Sequence, residues 1–540
     1  MCSDRSNEQN LADKSYSDLP SKSSVNFLPS FLPSFLPSFL FSALALALAF
    51  SWMSPQVSAP NERSRLYLTL SLLETGSITV CDQVEKFGKP FDISEREGLF
   101  FSDKAPGSSV IAVPTLWLYK SFGGDMDSIE KMTNFARLFV MLPFALLTLV
   151  MLRRVVISLD VIPELANRTL VVFALGTGYF HYGLAFFGHA LVTCMSICAA
   201  YFLLKATQLT SSRDKVGWNG AAGFCGGVAF AIEYQAVLIC MAMILAFFVI
   251  KDNRRFVPTI SFGLGMAIPV VAVLVYNVAA FGNPLMTSYG HLHHASVQDS
   301  HSDGLFGITL PSLDAIYGLL FSPARGLLLC APIVVVGGYG LVLLWRRARW
   351  LAVYVGCSVA SYFILVAGGD DFWFGGWSFG PRLLIPIVGL AAIGGAMAYG
   401  ALEERGGVAA GALRGLFVFA ILYNVFIFTM FPELPPGITS PLTSVAIPVA
   451  ELGKPSPNLG MVILGLEGLN SLLPLYGLVL VMCTYVSLRS PVRIKPVTVS
   501  AFIGALFLLV VYAAGYPEME SDSRVEKFVT RVTSLRVLPK

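Results

Sequence analysis

The chain has 540 residues, of which 55% are hydrophobic and only 13% charged, and its mean hydropathy is +0.69. A water-soluble fold of that length would lack the polar residues to cover its surface, so lipid is the expected solvent. The net charge is +3, and no basic cluster interleaves with aromatics, which excludes nucleic acid as a partner. Residues 1–37 are polar and then repeat Phe-Leu-Pro-Ser, so they are expected to be disordered. Prolines at 29, 33 and 37 put the start of the first helix near Ser38. A cleaved signal peptide ending near VSAP at 57–60 is the alternative reading of this stretch.

A bilayer core of about 30 Å takes roughly 20 apolar residues per helix, and such windows recur along the chain. Spans are predicted near 38–56, 133–152, 166–180, 184–204, 217–232, 234–250, 256–280, 327–345, 350–367, 383–400, 415–431, 471–488 and 497–515. The expected fold is an all-α integral membrane protein of about 11–13 transmembrane helices over residues 38–515, with a tail at 516–540.

Alternate connections are basic: Arg153 and Arg154; Lys205, Arg213 and Lys215; Lys251, Arg254 and Arg255; Arg346, Arg347 and Arg349; Arg489, Arg493 and Lys495. The positive-inside bias makes these cytoplasmic, with a cytoplasmic amino terminus in the cell membrane. The long connections 57–132, 281–326, 368–382 and 432–470 then face outward, and all six histidines fall in or beside outward connections. Of the nine cysteines only Cys81 sits clearly in a long outward loop, so no disulfide or zinc framework follows.

The first outward loop carries the most information. It reads as an amphipathic helix from Glu62 to Glu74, an acidic connector, and a second apolar helix after Pro106. Leu66, Leu70 and Leu73 share one face, with Arg63 and Arg65 nearby, a pattern suited to lying along the membrane interface.

The motifs of this loop are NERSR at 61–65, GSI at 76–78 and SDKAPG at 102–107. They are followed in order by FGHA at 187–190, FAIEYQ at 230–235, FGNPLMTSYGH at 281–291, FSPARG at 321–326 and GGWSFGPR at 375–382. In this series the chain resembles the GT-C superfamily of polyprenyl-phosphate-dependent membrane glycosyltransferases, over roughly residues 38–400. The resemblance implies a GT-C-like fold and a carboxylate immediately after the first helix acting as general base, which falls on Glu62.

A polyprenyl-phosphate donor has a leaving group that is stable as an anion, so the reaction needs a base for the acceptor hydroxyl and cations for the departing phosphate. Glu62 is one candidate base; an interface carboxylate paired with Arg63 or Arg65 is its bland alternative. Asp103, kept ionised by Lys104, is the rival base, and a turn or helix-cap aspartate is its alternative. Lys104, Arg325 and Arg382 are the candidate cations, against simple headgroup contacts.

Glu233 is the only charged residue between Lys215 and Lys251, and an ionisable group there is costly unless it lines a polar cavity. His189 stands at the outer end of a span, placed to bond a donor phosphate. Trp373 and Trp377 suit stacking on sugar or prenyl units as well as an interfacial belt. The cluster HLHHASVQDSHSD at 291–303 matches no standard metal site, and DMD at 125–127 has the carboxylate spacing of metal-dependent sugar-nucleotide enzymes but lies just before a span, so neither metal nor cofactor is called for.

The expected activity is transfer of a sugar from a polyprenyl phosphate to an unidentified acceptor on the non-cytoplasmic face, with membrane lipid as the surrounding partner. A multi-helix transporter or lipid-linked sugar flippase is the alternative from another class. Such folds commonly show duplicated halves with broken helices at the midplane, and no internal repeat is apparent here.

Overall fold

The computed structural model of the chain describes residues 32–51, 59–250, 256–292, 309–369, 372–488 and 496–534. The disorder expected before residue 32 and the histidines at 293, 294 and 301 lie outside the described residues. The chain divides into a short unit, Met1–Leu40, and a large one, Phe41–Lys540. Helix α1, Leu32–Ala49, begins before Ser38. Pro33 falls in its first turn, where a backbone N–H has no helical partner to lose.

The first long connection folds into α2 (Pro60–Glu74), α3 (Cys81–Phe87), an antiparallel hairpin of β1 (Ile93–Arg96) and β2 (Leu99–Ser102), and α4 (Gly107–Ser121). The hairpin is the one sheet among the described residues. Its two-residue turn puts both Glu97 and Gly98 at positive φ, the backbone sense that matches the right-handed twist of paired strands. The acidic connector read from sequence is therefore partly strand.

Helix α2 departs from the interfacial reading, because it is buried on all sides from Ser64 to Ser71. Leu66 and Leu70 pack with Leu116 of α4 and with Met132. Tyr67 and Leu68, on the opposite side, join Val80, Ile93, Phe101 and Phe281. Burial of such side chains stabilises by about 1.5–3 kcal/mol each. The polar positions accept burial because each finds a partner: Ser109 donates to the Arg65 carbonyl at 2.9 Å, and Ser71 donates to the Thr79 carbonyl.

Eight helices among the described residues are long and apolar enough to cross a membrane. They are α5 (Ile129–Ile157), α7 (Gly188–Gln208), α10 (Phe256–Phe281), α12 (Arg349–Ala367), α13 (Arg382–Arg405), α14 (Gly407–Met430), α15 (Gly468–Ser487) and α16 (Pro496–Gly515). Interleaved with them are α6 (Pro163–Leu175), α8 (Ser212–Ile232), α9 (Tyr234–Val249) and α11 (Pro332–Arg347). Those four coincide with other predicted spans but are shorter or more polar. At 1.5 Å per residue, α6 reaches only about 20 Å, while α8 opens on Ser-Arg-Asp-Lys.

Neighbouring helices approach closely through glycine, as membrane packing favours. A Cβ on Gly415 of α14 would stand 2.6 Å from the Phe502 carbonyl of α16. Ile503, Phe507 and Val510 of α16 lie open on its other side, an apolar row suited to lipid.

The long connections meet at one end of the bundle. Ser94 bridges to Leu292, and its hydroxyl donates to the Ser288 carbonyl at 2.9 Å. Gly380 N–H donates to the Ala324 carbonyl at 2.8 Å, and Ser378 N–H to the Leu434 carbonyl at 2.9 Å. The final helix, α17 (Asp522–Ser534), belongs to the same end, because Glu518 just before it accepts from the N–H groups of Thr439 and Ser440. At the other end Arg414 pairs with Glu403, Arg168 with Glu164 and, from one of the basic connections, Arg347 with Asp160.

Candidate active site

One turn of α2 holds three buried polar pairs, each directed to a different element. Glu62, in the first turn of α2 where the helix dipole favours a carboxylate, is fully buried. It accepts from both Nε (2.9 Å) and Nη2 of Arg137 and from the Phe186 N–H at 2.6 Å. Arg137 opens a π-helical turn, Arg137–Met141, within α5; such turns re-aim a side chain inside a continuous helix.

Arg65 Nη2 donates to Glu233 Oε1 at 2.5 Å, and its Nε donates to Ser108 at 3.0 Å. Glu233 occupies an extended residue between α8 and α9, which turns its carboxylate toward α2. His189 Nδ1 stands 3.8 Å from the same Glu233 oxygen and has no hydrogen-bond partner among the described residues. Gly188 makes this approach possible, since a Cβ there would collide with Glu233 Oε1.

Ser64 donates to Asp103 Oδ1 at 2.8 Å, and Lys104 Nζ holds Asp103 Oδ2 at 2.7 Å and Asp92 Oδ2 at 3.0 Å. Burial pushes the Asp103 carboxyl above the usual carboxylate range, with Asp92 adding to the rise and Lys104 opposing it. Burial would release the Lys104 proton, but Asp103 and Asp92 outweigh it and hold that proton above the usual lysine range. Tyr289 adjoins this cluster and feels Lys104, Glu233, Asp103 and Arg65; burial raises its phenol to about 12.

Arg325 and Arg382 differ in how their donors are used. Arg325 is buried and donates to the carbonyls of Phe374, Ala324, Leu434 and Pro435. It thereby ties three outward connections together, and burial lowers it to about 10. Arg382 is partly exposed and lies over the Phe187 ring at 5.2 Å. Its Nε is without a hydrogen-bond partner, and it has no carboxylate partner among the described residues.

No protein-family model and no curated protein matches the chain. Among solved structures it is similar to ArnT from Cupriavidus metallidurans bound to undecaprenyl phosphate. The two are 14% identical over 94% of this chain and 90% of that one, at a TM-score of 0.45. It is also similar to the Archaeoglobus fulgidus oligosaccharyltransferase tethered with an acceptor peptide, 11% identical over 92% of this chain and 61% of that one, at a TM-score of 0.46. A third is AglB from the same organism with an inhibitory peptide and a dolichol-phosphate, 10% identical over 91% and 61%, at a TM-score of 0.43. The chain thus spans 61% of the length of these archaeal proteins.

Of the residues singled out in the sequence, Glu62, Asp103, Lys104, His189 and Glu233 gather around α2, and Arg382 and Arg325 stand on adjoining connections at the same end. Arg137, Asp92 and Tyr289 were missed. Arg137 carried a signal, since it is a lone charge inside an otherwise apolar span; Asp92 and Tyr289 carried none. The aspartates of DMD at 125–127 are bound elsewhere, Asp125 to Lys131 and Asp127 to Lys86. No group of three or more potential metal ligands is assembled among the described residues.

Proposed function

We propose that the protein is a multi-pass membrane glycosyltransferase that moves a sugar from a polyprenyl phosphate to an acceptor on the non-cytoplasmic face. In this reading the amino terminus is cytoplasmic in the inner membrane, and the end bearing the long connections faces outward. The observation that carries it is that the buried Asp103–Lys104 cluster and the Arg382 guanidinium, which has no carboxylate partner among the described residues, stand on connections at the same end.

Asp103 takes the proton of the acceptor hydroxyl. The acceptor oxygen then bonds to the sugar anomeric carbon as the bond from that carbon to the phosphate oxygen breaks. The electron pair leaves on the phosphate, and attack from the opposite face inverts the anomeric centre. Arg382 and Lys104 receive the charge released on the phosphate, with His189 as a further donor. Glu62 is the second candidate base. Its bonds to Arg137 and Phe186 N–H also hold the first loop against α5, as the bonds to Ser64 and Lys104 hold the Asp103 carboxylate. Glu233 orients Arg65 and His189, and Arg325 fixes the connection that carries Arg382.

The test is to incubate purified full-length protein with radiolabelled polyprenyl-phosphate sugars and a membrane extract as acceptor source. Transfer is expected, with at least a hundredfold loss in Asp103→Asn, since a general base contributes about 10²–10⁴ in rate. Absence of transfer from every donor tried would sink the proposal.

A further inference from the structure

The connection that carries Arg382 also presents a large aromatic side chain outward, and nothing in the donor chemistry uses it. Trp377 is 56% exposed and lies in the segment Phe374–Gly380. The segment is pinned: Ser378 and Phe379 N–H donate to the Leu434 and Pro432 carbonyls at 2.9 Å, and Gly380 N–H to Ala324. Gly375 and Gly376, both at positive φ, bring the backbone against the arginine, so that a Cβ on Gly376 would lie 3.8 Å from Arg382 Nη2. Trp377 is therefore a fixed neighbour of the site.

Its other edge is set by the tail. Phe528 of α17 meets the Trp377 ring at 6.0 Å and 72°, and itself packs on Phe431 at 5.0 Å. Helix α17 buries Val529 and Thr533, while Arg524, Glu526, Lys527 and Arg531 stay exposed. Where helices of this protein face lipid they show unbroken apolar rows, as α16 does with Ile503, Phe507 and Val510. Trp377 instead meets, through Phe528, a helix that exposes four charges, which places it at the watery end of the molecule. A rigid indole open to water beside the proposed transfer site offers a flat face to the C–H side of a pyranose ring, with the Arg382 guanidinium close to its segment.

Resting on the proposed transfer reaction, we infer that Trp377, held by Phe528, is the platform of an acceptor subsite, and that the acceptor is a glycan whose terminal sugar stacks on this indole. The stacked ring directs a hydroxyl toward the Arg382 side of the site.

The test is saturation-transfer NMR on the full chain in detergent, with cellopentaose, chitopentaose and maltopentaose as glycan probes and a serine-rich decapeptide as the competing class. Undecaprenyl phosphate binding is measured in parallel on the same preparations. Saturable binding of at least one glycan is expected, weakened tenfold or more in Trp377→Ala, largely retained in Trp377→Phe, and reduced in Phe528→Ala, with undecaprenyl phosphate binding unchanged in all three. The inference is overturned if no glycan binds, if Trp377→Ala binds as tightly as the parent, or if the peptide alone depends on Trp377. Failure of the parent protein to bind undecaprenyl phosphate counts against the transfer reaction and leaves the glycan result to stand or fall by itself.

Discussion

The Arg137 guanidinium grips the Glu62 carboxylate with two parallel hydrogen bonds, joining α2 to α5 across 75 residues of chain. Both side chains are buried, so the pair is dear to break and cheap to replace as a whole. Glu62→Gln or Arg137→Met alone should lower stability by about 3–5 kcal/mol, because each leaves the other group's charge unmatched. The double variant Glu62→Leu/Arg137→Met should regain much of that loss. Thermal unfolding in detergent measures the cycle, and additive losses would mean that the two groups do not act as a pair.

Asp103 should set the acid limb of the rate profile. Only its ionised form accepts a proton, and burial holds its carboxyl above the usual range, so the rate should fall as pH drops through that raised value. Asp92→Asn removes a neighbouring negative charge and should move the limb to lower pH. A limb that does not respond to Asp92→Asn assigns the base to another group.

Gly188 is where α7 touches the Glu233 carboxylate. Gly188→Ala forces that carboxylate off its contacts with Arg65 and His189, at a cost of about 1–3 kcal/mol for the overpacking and with a loss of transfer. Adding Glu233→Asp, one methylene shorter, should restore part of both. Stability and activity measured on the single and double variants decide the matter; no rescue would show that the space at Gly188 is not what Glu233 needs.

The tail should loosen in acid. Burial alone would raise the Glu518 carboxyl, but the N–H groups of Thr439, Glu520 and Ser440 and the Ser444 hydroxyl outweigh it and hold it below the usual range. A depressed carboxylate stabilises the folded form above its ordinary pKa of about 4.3, and that contribution is lost as pH falls through the lower folded value. Hydrogen exchange in Asp522–Ser534 should therefore rise on acidification, and Glu518→Gln should produce the same rise at neutral pH. Equal protection at all pH values would remove Glu518 as the clasp.

Composition and the recurrence of apolar windows were enough to read an all-helical membrane protein. Those features are set by the bilayer: apolar length decides what crosses. Two helices of the first loop were also legible, from the leucine spacing after Glu62 and the apolar run after Pro106. The hairpin over 93–102 was not, because its four-residue strands are too short for a period-2 signal and its turn depends on Glu97 adopting a backbone conformation that glutamate rarely takes.

The partners of the ionisable groups were decided by the tertiary structure alone. From sequence, Arg63 or Arg65 is the partner that Glu62 has in its bland alternative reading; in the fold it takes Arg137, while Arg65 takes Glu233 at a separation of 168 residues. Glu62 and Arg65, three residues apart, share a face of α2 and could have paired with each other; the elements packed against that face, bringing Arg137 and Glu233, decided otherwise. Sequence thus supplied the charges; packing decided which of them pair with one another.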